Sequence, residues 1–370
     1  MTSEEMAHCK LIDELIRRKQ PFAMYRIPGE ETPRFVMQSE GSVCRVSSIE
    51  ELNEQKGFVI APFRVSEECP IVLIQPDVFS LDELHFLDAD DADDTDLFRL
   101  RSQLNPRHLR HLCLKNYSHC FDLFIAALRK KTFEKLVLSR SLTLPKEVSF
   151  SPATAFYRAC SRYIHSYVYL CYTPQTGVWL GSTPEIILSG EQGAWNTVAL
   201  AGTQSLQNGE LPLEWDDKNR EEQGYVSSYI RRQLLSLGIH PTENGPYPAF
   251  AGALSHLKTD FRFPLSDNKK LGTLLNLLHP TPAVCGLPKE EAYRFILQNE
   301  RCDRRYYSGF IGWLDPDGRT DLYVNLRCMH ISDDSLTLYA GGGLLASSEL
   351  EDEWQETEKK LQTMSYLIDN

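Results

Sequence analysis

The chain has no CxxC pair, no lysine followed by Ser or Thr after its glycine-rich stretch, and no internal repeat at a fixed period. Each absence removes a class of protein. The ten cysteines have no spacing suited to zinc, and most sit among apolar neighbours, as in "YLCYT", so they read as free thiols in a core. No run reaches the roughly 18 apolar residues of a transmembrane helix, and no membrane partner is expected. The start, "MTSEEMAHCKLIDELIRRK", is amphipathic and charged and lacks the apolar centre of a signal peptide, so a cytoplasmic location is the expectation. Positive charge is also short, with 39 Lys and Arg against 51 Asp and Glu and a net charge of −12. Nucleic acid and anionic membranes reward clustered cations, so neither is expected as a general partner, although one local basic pocket remains compatible with the total.

What is present is enough for a globular protein: 370 residues, 42% of them hydrophobic, can bury one large core or two ordinary ones. From residue 22 to 80, short apolar runs such as "FAMYRI", "GFVIAPF" and "PIVLIQ" alternate with turn residues and predict a β-rich segment. Six aspartates between Asp88 and Asp96 follow, without the glycine and closing glutamate of a calcium loop, and read as a solvated loop. Residues 107 to 134 predict a helix leading into the strand "KLVLSRSLTL". The stretch "YVYLCYTPQTGVWLGSTPEIILSG" predicts a hairpin turning at "TPQTG", and a long helix is expected over about 215 to 237. The C-terminal third reads as a meander in which "TDLYVNLRCMHI" is one strand. Strands broken by helices, without a regular βαβ rhythm, predict an α+β fold with largely antiparallel sheets. Residues 1–106 are read as a β-rich N-terminal part of the same fold and 107–370 as the region carrying the site.

Polar residues stand at several places where apolar ones are expected. The long helix has a stripe of Val226, Ile230, Leu234 and Leu237, and one turn back Glu222 falls in line with it. An acid in a first turn also suits the helix dipole, so a solvated Glu222 is equally consistent. In "AGGGLLASSELEDEWQETEKK", a helix starting near Ser348 puts Glu349, Glu353, Glu356 and Lys360 on one face and Trp354, Leu361 and Met364 on the other. A surface helix would look the same. The glycines before it lack the features of a phosphate loop and suit either a close approach to a ligand carboxylate or a simple turn. Two strands carry charge on alternate positions: Lys135 shares a face with Val137 and Ser139, and Tyr323, Asn325 and Arg327 lie opposite Leu322, Val324, Leu326 and Cys328. If those faces meet solvent nothing follows. If they line a cleft, Arg327 can hold a carboxylate bidentately.

Taken in order, "KLVLSR", "GSTPEIILS", "LAGT", "DKNREEQ", "HPTPAVCGLP", "YYSGFIGW" and "AGGGLLASSELEDEWQETEKK" resemble the chorismate-utilising enzymes, which comprise isochorismate, salicylate, anthranilate and aminodeoxychorismate synthases. The resemblance runs from Lys135 to Leu361. It implies one α+β domain with two large, mostly antiparallel sheets stacked around the active site and helices outside. It makes Lys135 the general base and Glu185 the general acid, and it matches Glu222 and Glu356 to two magnesium-binding glutamates, with Glu353 beside them. Gly202, Thr203, His256, Ala283, Arg327, Gly341 and Lys360 match positions that line the substrate pocket. The implied substrate, chorismate, is a dicarboxylate with a ring hydroxyl at C4, and isomerisation adds water at C2 with allylic loss of that hydroxyl. A neutral Lys135 would take a proton from the water. Glu185 must be protonated to release hydroxide as water, so its pKa must rise from about 4.3. Magnesium prefers oxygen ligands and keeps several waters, which two glutamates and a substrate carboxylate leave room for.

Within the family, "HPTPAVCGLP" is similar to isochorismate synthases, because the amine-forming relatives usually carry threonine at the position of Ala283. Water is then the nucleophile and no glutaminase partner is expected. The alternatives are a salicylate synthase, which goes on to lose pyruvate, and a non-catalytic chorismate-binding protein. A downstream route to menaquinone or to a siderophore is equally open, and a monomer is the expected state. One departure stands out: most relatives have an arginine within two residues of "LAGT", where this chain has Gln204 and Ser205. Arg231 and Lys258 are the candidates to supply that carboxylate contact.

Overall fold

A computed structural model of the chain describes residues 1–84, 106–251 and 254–368. The run from Asp88 to Asp96, read above as a solvated loop, lies outside the described residues.

Among the described residues the strands form two sheets, one of eight strands and one of nine, and every pairing in both is antiparallel. The eight-stranded sheet runs Gly286–Leu287, Lys135–Pro145, Ser335–Leu344, Cys328–Ile331, Gly177–Thr183, Tyr167–Thr173, Phe22–Arg26, Arg34–Met37. The nine-stranded sheet runs Thr242–Ala251, Leu254–Pro264, Ala194–Ser205, Ile186–Glu191, Thr320–Val324, Phe310–Leu314, Gly57–Ala61, Ile71–Ile74, Cys44–Val46. The strands that precede residue 106 thus extend one end of each sheet.

The inner faces of the sheets meet in an aromatic layer that includes Tyr25, Phe58, Tyr167, Trp179, Tyr307, Tyr323 and Tyr339. Tyr167 of one sheet stacks on Tyr323 of the other at 4.3 Å and 15°, a contact worth about 0.5–1.5 kcal/mol beyond its buried area. The outer face of the nine-stranded sheet is covered by the helices Asp217–Ser236 and Leu271–Leu278, and that of the eight-stranded sheet by Ser3–Arg17, Pro152–Arg162 and Leu350–Ser365. A strand covered on both faces loses its alternation, which is why "YVYLCYT" is buried at every position. The same holds for "KLVLSR", buried throughout, so Lys135 does not share a solvent face with Val137 and Ser139.

The predicted helices form with small changes of boundary. That over 107 to 134 spans Pro106–Arg129, and that over 215 to 237 spans Asp217–Ser236, capped by the Asp216 side chain accepting from the Asn219 N–H. Leu237, read as part of the buried stripe, lies one residue past the helix and is exposed.

The larger correction concerns "TDLYVNLRCMHI". It is two strands in two different sheets: Thr320–Val324 belongs to the nine-stranded sheet and Cys328–Ile331 to the eight-stranded one. Between them Arg327 takes a left-handed φ of 46°, which an extended strand does not allow. The stretch "STPEII" makes the same crossing at Pro184 and Glu185, where proline cannot donate to the ladder. The two crossings hold each other. Val324 N–H donates to the Glu185 carbonyl at 2.8 Å, Ser182 N–H to the Arg327 carbonyl at 3.0 Å, and the Thr183 hydroxyl to the Val324 carbonyl at 2.5 Å. Glu185 and Arg327 are thereby delivered to the seam between the sheets.

Candidate active site

The glycine run lies on the strand Ser335–Leu344, beside Lys135–Pro145, with Gly343 opposite Val137 and Gly341 opposite Ser139. What the glycines provide is space. A Cβ on Gly343 would fall 2.1 Å from Glu222 Oε1 and 2.8 Å from Lys135 Cε, and one on Gly341 would meet the Ser139 and Tyr307 hydroxyls at 2.8 and 2.9 Å. Lys135 is fully buried, and its Nζ lies 2.9 Å from Glu222 Oε1, an ion-pair separation without hydrogen-bond alignment. The backbone of Gly343 is the surface on which that pair rests.

Two further glutamates come from the helix Leu350–Ser365, and each also meets a lysine. Glu356 binds Lys360 at 2.6 Å, while Lys360 donates to the Gly341 carbonyl at 2.9 Å. Glu353, only 1% exposed, takes Lys218 at 2.5 Å and the Ser348 hydroxyl at 2.6 Å, both on Oε1. Burial and then the neighbouring Glu356 push the Glu353 carboxyl up, against the pull of Lys218. Burial also opposes ionisation of Glu356, but Lys360, Lys218 and the Thr203 hydroxyl together outweigh it and hold that carboxyl below its ordinary value. The helices Asp217–Ser236 and Leu350–Ser365 pack on different sheets, and these carboxylates are where their first two turns converge.

This group fits a hard divalent cation in its chemistry. All the donors are carboxylate oxygens, and Glu353 Oε2 is buried without a partner, pointing to the same space as Glu356 Oε1: a Cβ at Gly342 would lie 3.2 and 3.6 Å from the two. As the side chains stand, three lysines neutralise three acids, and no cluster of three His, Cys, Asp or Glu within metal-binding reach occurs among the described residues.

On the other side of the cavity the sheet crossings supply Glu185 and Arg327. Burial raises the Glu185 carboxyl to about 8, against the opposing pull of Lys135, a hydrogen bond from the Thr281 hydroxyl at 3.4 Å, Arg327 and Lys360. It is therefore largely protonated at neutral pH. Burial lowers Arg327 to about 10, still cationic, and its guanidinium donates to the Ala251 carbonyl and to His256 Nε2 at 2.5 Å. Burial and the charges of Arg327 and Lys360 hold His256 well below its ordinary pKa. Arginine can only donate and a carbonyl can only accept, so the neutral imidazole carries its proton on Nδ1 and gives it to the Gly202 carbonyl at 2.7 Å. Gly202, at φ 76°, makes the bulge between Ala201 and Thr203 that turns this carbonyl inward, and Asn219 fixes the Thr203 N–H at 2.7 Å.

Between these walls lies a narrow cavity with about 590 Å³ of unfilled space, its open mouth included. Of the residues selected from sequence, Glu185, Gly202, Thr203, Glu222, His256, Ala283, Arg327, Gly341 and Lys360 line it directly. Lys135 adjoins it through Glu222, and Glu356 through Lys360 and the Thr203 hydroxyl. Arg231 and Lys258 do not reach it: Arg231 is held by Glu243 at 2.6 Å and Lys258 by Asp260 at 3.1 Å. The arginine missing after "LAGT" is thus not replaced by either. Sequence reading passed over Thr281, Tyr307, Lys218 and Asn219 as individuals, although all four stand inside the quoted motifs. Tyr307 stacks on Tyr339 at 5.6 Å and faces Gly341. Nothing in its spacing sets it apart from the adjacent Tyr306, which packs against Trp179, donates to the Pro70 carbonyl and does not line the cavity.

Comparison with known proteins identifies the family. Residues 87–369 match the family model of the chorismate binding enzymes, and the chain belongs to that family. The chain is 30% identical over 268 residues to the isochorismate synthase DhbC of Bacillus subtilis, a match taking in 68% of this chain and 67% of that one. It is 30% identical over 240 residues to the isochorismate synthase EntC of Escherichia coli, covering 62% of this chain but only 61% of the relative's length. Among solved structures, a Bacillus anthracis protein described as a putative 2,3-dihydroxybenzoate-specific isochorismate synthase superposes with a TM-score of 0.75 at 22% identity, covering 96% of this chain and all of that one. Anthranilate synthase component I of Streptococcus pneumoniae gives 0.65 at 17% identity, covering 93% and 92%. At such identities the structural matches speak for the fold: a single α+β domain of two antiparallel sheets.

Proposed function

We propose that the protein is a magnesium-dependent isochorismate synthase, converting chorismate to isochorismate. The observation that carries this reading is the pairing across one cavity of a buried carboxyl raised to about 8, Glu185, with a fully buried lysine, Lys135, that has no aligned hydrogen-bond partner. A carboxyl kept protonated at neutral pH can give a proton to a leaving hydroxyl, and the lysine opposite is the group placed to take one from water. Its relatives' names point to the same reaction.

In this reading Arg327 grips one substrate carboxylate through its fork, exchanging its bonds to Ala251 and His256 for it. Lys360 and the backbone at Gly341 face a second. Glu222 and Glu356 would hold the ion with Glu353 behind them, and a bound magnesium would neutralise a substrate carboxylate and orient it. Lys135 takes a proton from water as its oxygen bonds to C2. The ring double bond shifts, the C4–oxygen bond breaks, and Glu185 gives its proton to the departing hydroxide, which leaves as water. One proton is taken, one is given, and substrate and product are isomers. With water as the nucleophile, no ammonia-supplying subunit is required. No described helix is long and apolar enough to cross a membrane, and a cytoplasmic monomer is the state proposed.

The test is direct. Incubation with chorismate and magnesium, followed by chromatographic separation, should yield isochorismate without pyruvate. Salicylate and pyruvate would assign the elimination instead, and tight calorimetric binding of chorismate without any product would make this a binding protein.

A further inference from the structure

A second cavity lies on the far side of the strand that carries Lys135. Its walls are the turn from Phe63 to Cys69 and the end of the helix Lys289–Asn299 with the residues that follow it. These walls are preformed: Phe63 N–H donates to the Arg305 carbonyl at 3.1 Å, the Ser66 and Cys69 backbones close on each other at 3.1 Å, and Tyr306 Oη donates to the Pro70 carbonyl at 2.8 Å. With its open mouth it spans about 1050 Å³.

Four arginines line it, and only one is matched by an acid. Arg304 is buried and paired twice with Glu300, at 2.6 and 2.8 Å. Arg64, Arg301 and Arg305 have no carboxylate within ion-pair distance among the described residues. Among the described residues Arg301 reaches only the Asn116 side chain at 3.3 Å, and Arg305 lies 3.3 Å from both nitrogens of His330, which burial and Arg305 itself lower to about 4, so that it is neutral at neutral pH. The acids on the rim are Glu68 and Asp303, and Asp303 accepts from the Arg305 backbone. Four arginines against Glu68, Glu300 and Asp303 leave the hollow locally positive in a chain of net charge −12, which favours an anion there.

The back of this cavity is also the back of the catalytic one. Arg304 donates to the carbonyls of Val284 at 2.7 Å and Val137 at 3.0 Å, both of which line the catalytic cavity, and Glu300 accepts from the Ser139 N–H at 2.6 Å. We propose that Arg64, Arg301 and Arg305 form a second anion site, for a small dicarboxylate, that is coupled to the catalytic strand through the Glu300–Arg304 pair. Guanidinium forks at separate points of a hollow with Phe63 and Leu297 in its walls match two planar carboxylates on a short carbon frame better than one compact tetrahedral ion. The binding claim is independent of the reaction proposed above, and only the coupling rests on it.

Malonate serves as the probe, titrated calorimetrically into the full chain. Because a dicarboxylate can also enter the catalytic cavity, the measurement is repeated in Arg327→Met, where one malonate per chain should still bind. Arg64→Gln with Arg301→Gln, both exposed and chosen to leave the fold intact, should weaken that binding at least about ten-fold, with an unshifted melting temperature in the absence of malonate. Should Arg327→Met not fold, the wild-type stoichiometry should fall from two to one on changing Arg64 and Arg301. Binding that ignores these two arginines, or inorganic phosphate binding as tightly as malonate, overturns the site or its ligand class. Coupling predicts that at saturating chorismate, where competition in the catalytic cavity is removed, malonate changes kcat of wild type but not of the doubly substituted protein, and an equal response in both overturns the coupling alone.

Discussion

The two walls of the catalytic cavity are built from similar charged residues by different means. On one wall, Glu222, Glu353 and Glu356 stand on helices, and each acid meets a lysine: Lys135, Lys218 and Lys360. On the other, Glu185 and Arg327 stand at the points where two chain segments pass from one sheet to the other, and among the described residues the Glu185 carboxyl accepts a hydrogen bond from the Thr281 hydroxyl at 3.4 Å and has no lysine or arginine within ion-pair distance. The helical wall collects charge and compensates it locally. The crossing wall keeps one carboxyl uncompensated, and burial then makes it an acid near pH 8. The difference teaches that the protonation state of a carboxylate here follows from the balance of burial and nearby charge: Lys360 holds Glu356 down, whereas burial raises Glu185 and, with Glu356 beside it, Glu353 as well. A helix turn lets a lysine sit four residues away, as Lys360 does for Glu356, whereas a sheet crossing seals its residue among backbone.

The largest expected effect is at the base: Lys135→Ala should retain chorismate binding by calorimetry and lose turnover by about three orders of magnitude or more. A near-normal rate would remove Lys135 from the reaction. Next, Glu185→Gln should cost about 10²–10⁴-fold in turnover and separate the walls by stability. The folded carboxyl titrates near 8 and the unfolded one near 4.5, so between these values the native state holds the extra proton and stability falls as pH rises. Glutamine removes that loss, so the variant should melt higher than wild type at pH 9 and gain nothing at pH 4. The alkaline limb of kcat/KM in wild type should likewise fall near pH 8.

On the helical wall, Glu356→Gln should weaken magnesium affinity by more than the roughly 100-fold that outer-sphere partners typically contribute, read by calorimetry without substrate. An unchanged affinity would leave the acids as a purely lysine-compensated cluster. Arg327→Met should raise KM for chorismate about 10- to 150-fold, the range of one or two hydrogen bonds to a charged group. Gly343→Ala places a Cβ against the Glu222 and Lys135 side chains and should cost about 1–3 kcal/mol of stability. The smallest effect is expected at Arg231→Ala and Lys258→Ala, within about 0.5 kcal/mol and without change in KM, because neither side chain reaches the cavity.

Much of the helical wall was legible in the residues. Periodicity placed Glu222 in line with Val226, Ile230 and Leu234, and put Glu353, Glu356 and Lys360 on one face, although whether that face met solvent or a site stayed open until the two helices were seen to converge. The crossing wall was not legible from pattern. "TDLYVNLRCMHI" alternates well enough to be one strand, and only the break at Arg327 shows that it is two. The motif resemblance named Glu185 and Arg327 but gave no reason for their placement, and it left Gln204 and Ser205 without a substitute that the structure could confirm.

By itself, the order of residues determined the local elements, the antiparallel α+β class and the identity of the acids, lysines and glycines, because these depend on spacing along 3.6- and 2-residue periods and on the turn residues between. Tertiary structure alone decided which carboxylate is paired and which is sealed, which tautomer His256 adopts, and that Gly343 is small because the Lys135–Glu222 pair rests on it. Those outcomes depend on distances between residues far apart in the chain, and burial acts on a charge only once the sheets have closed around it.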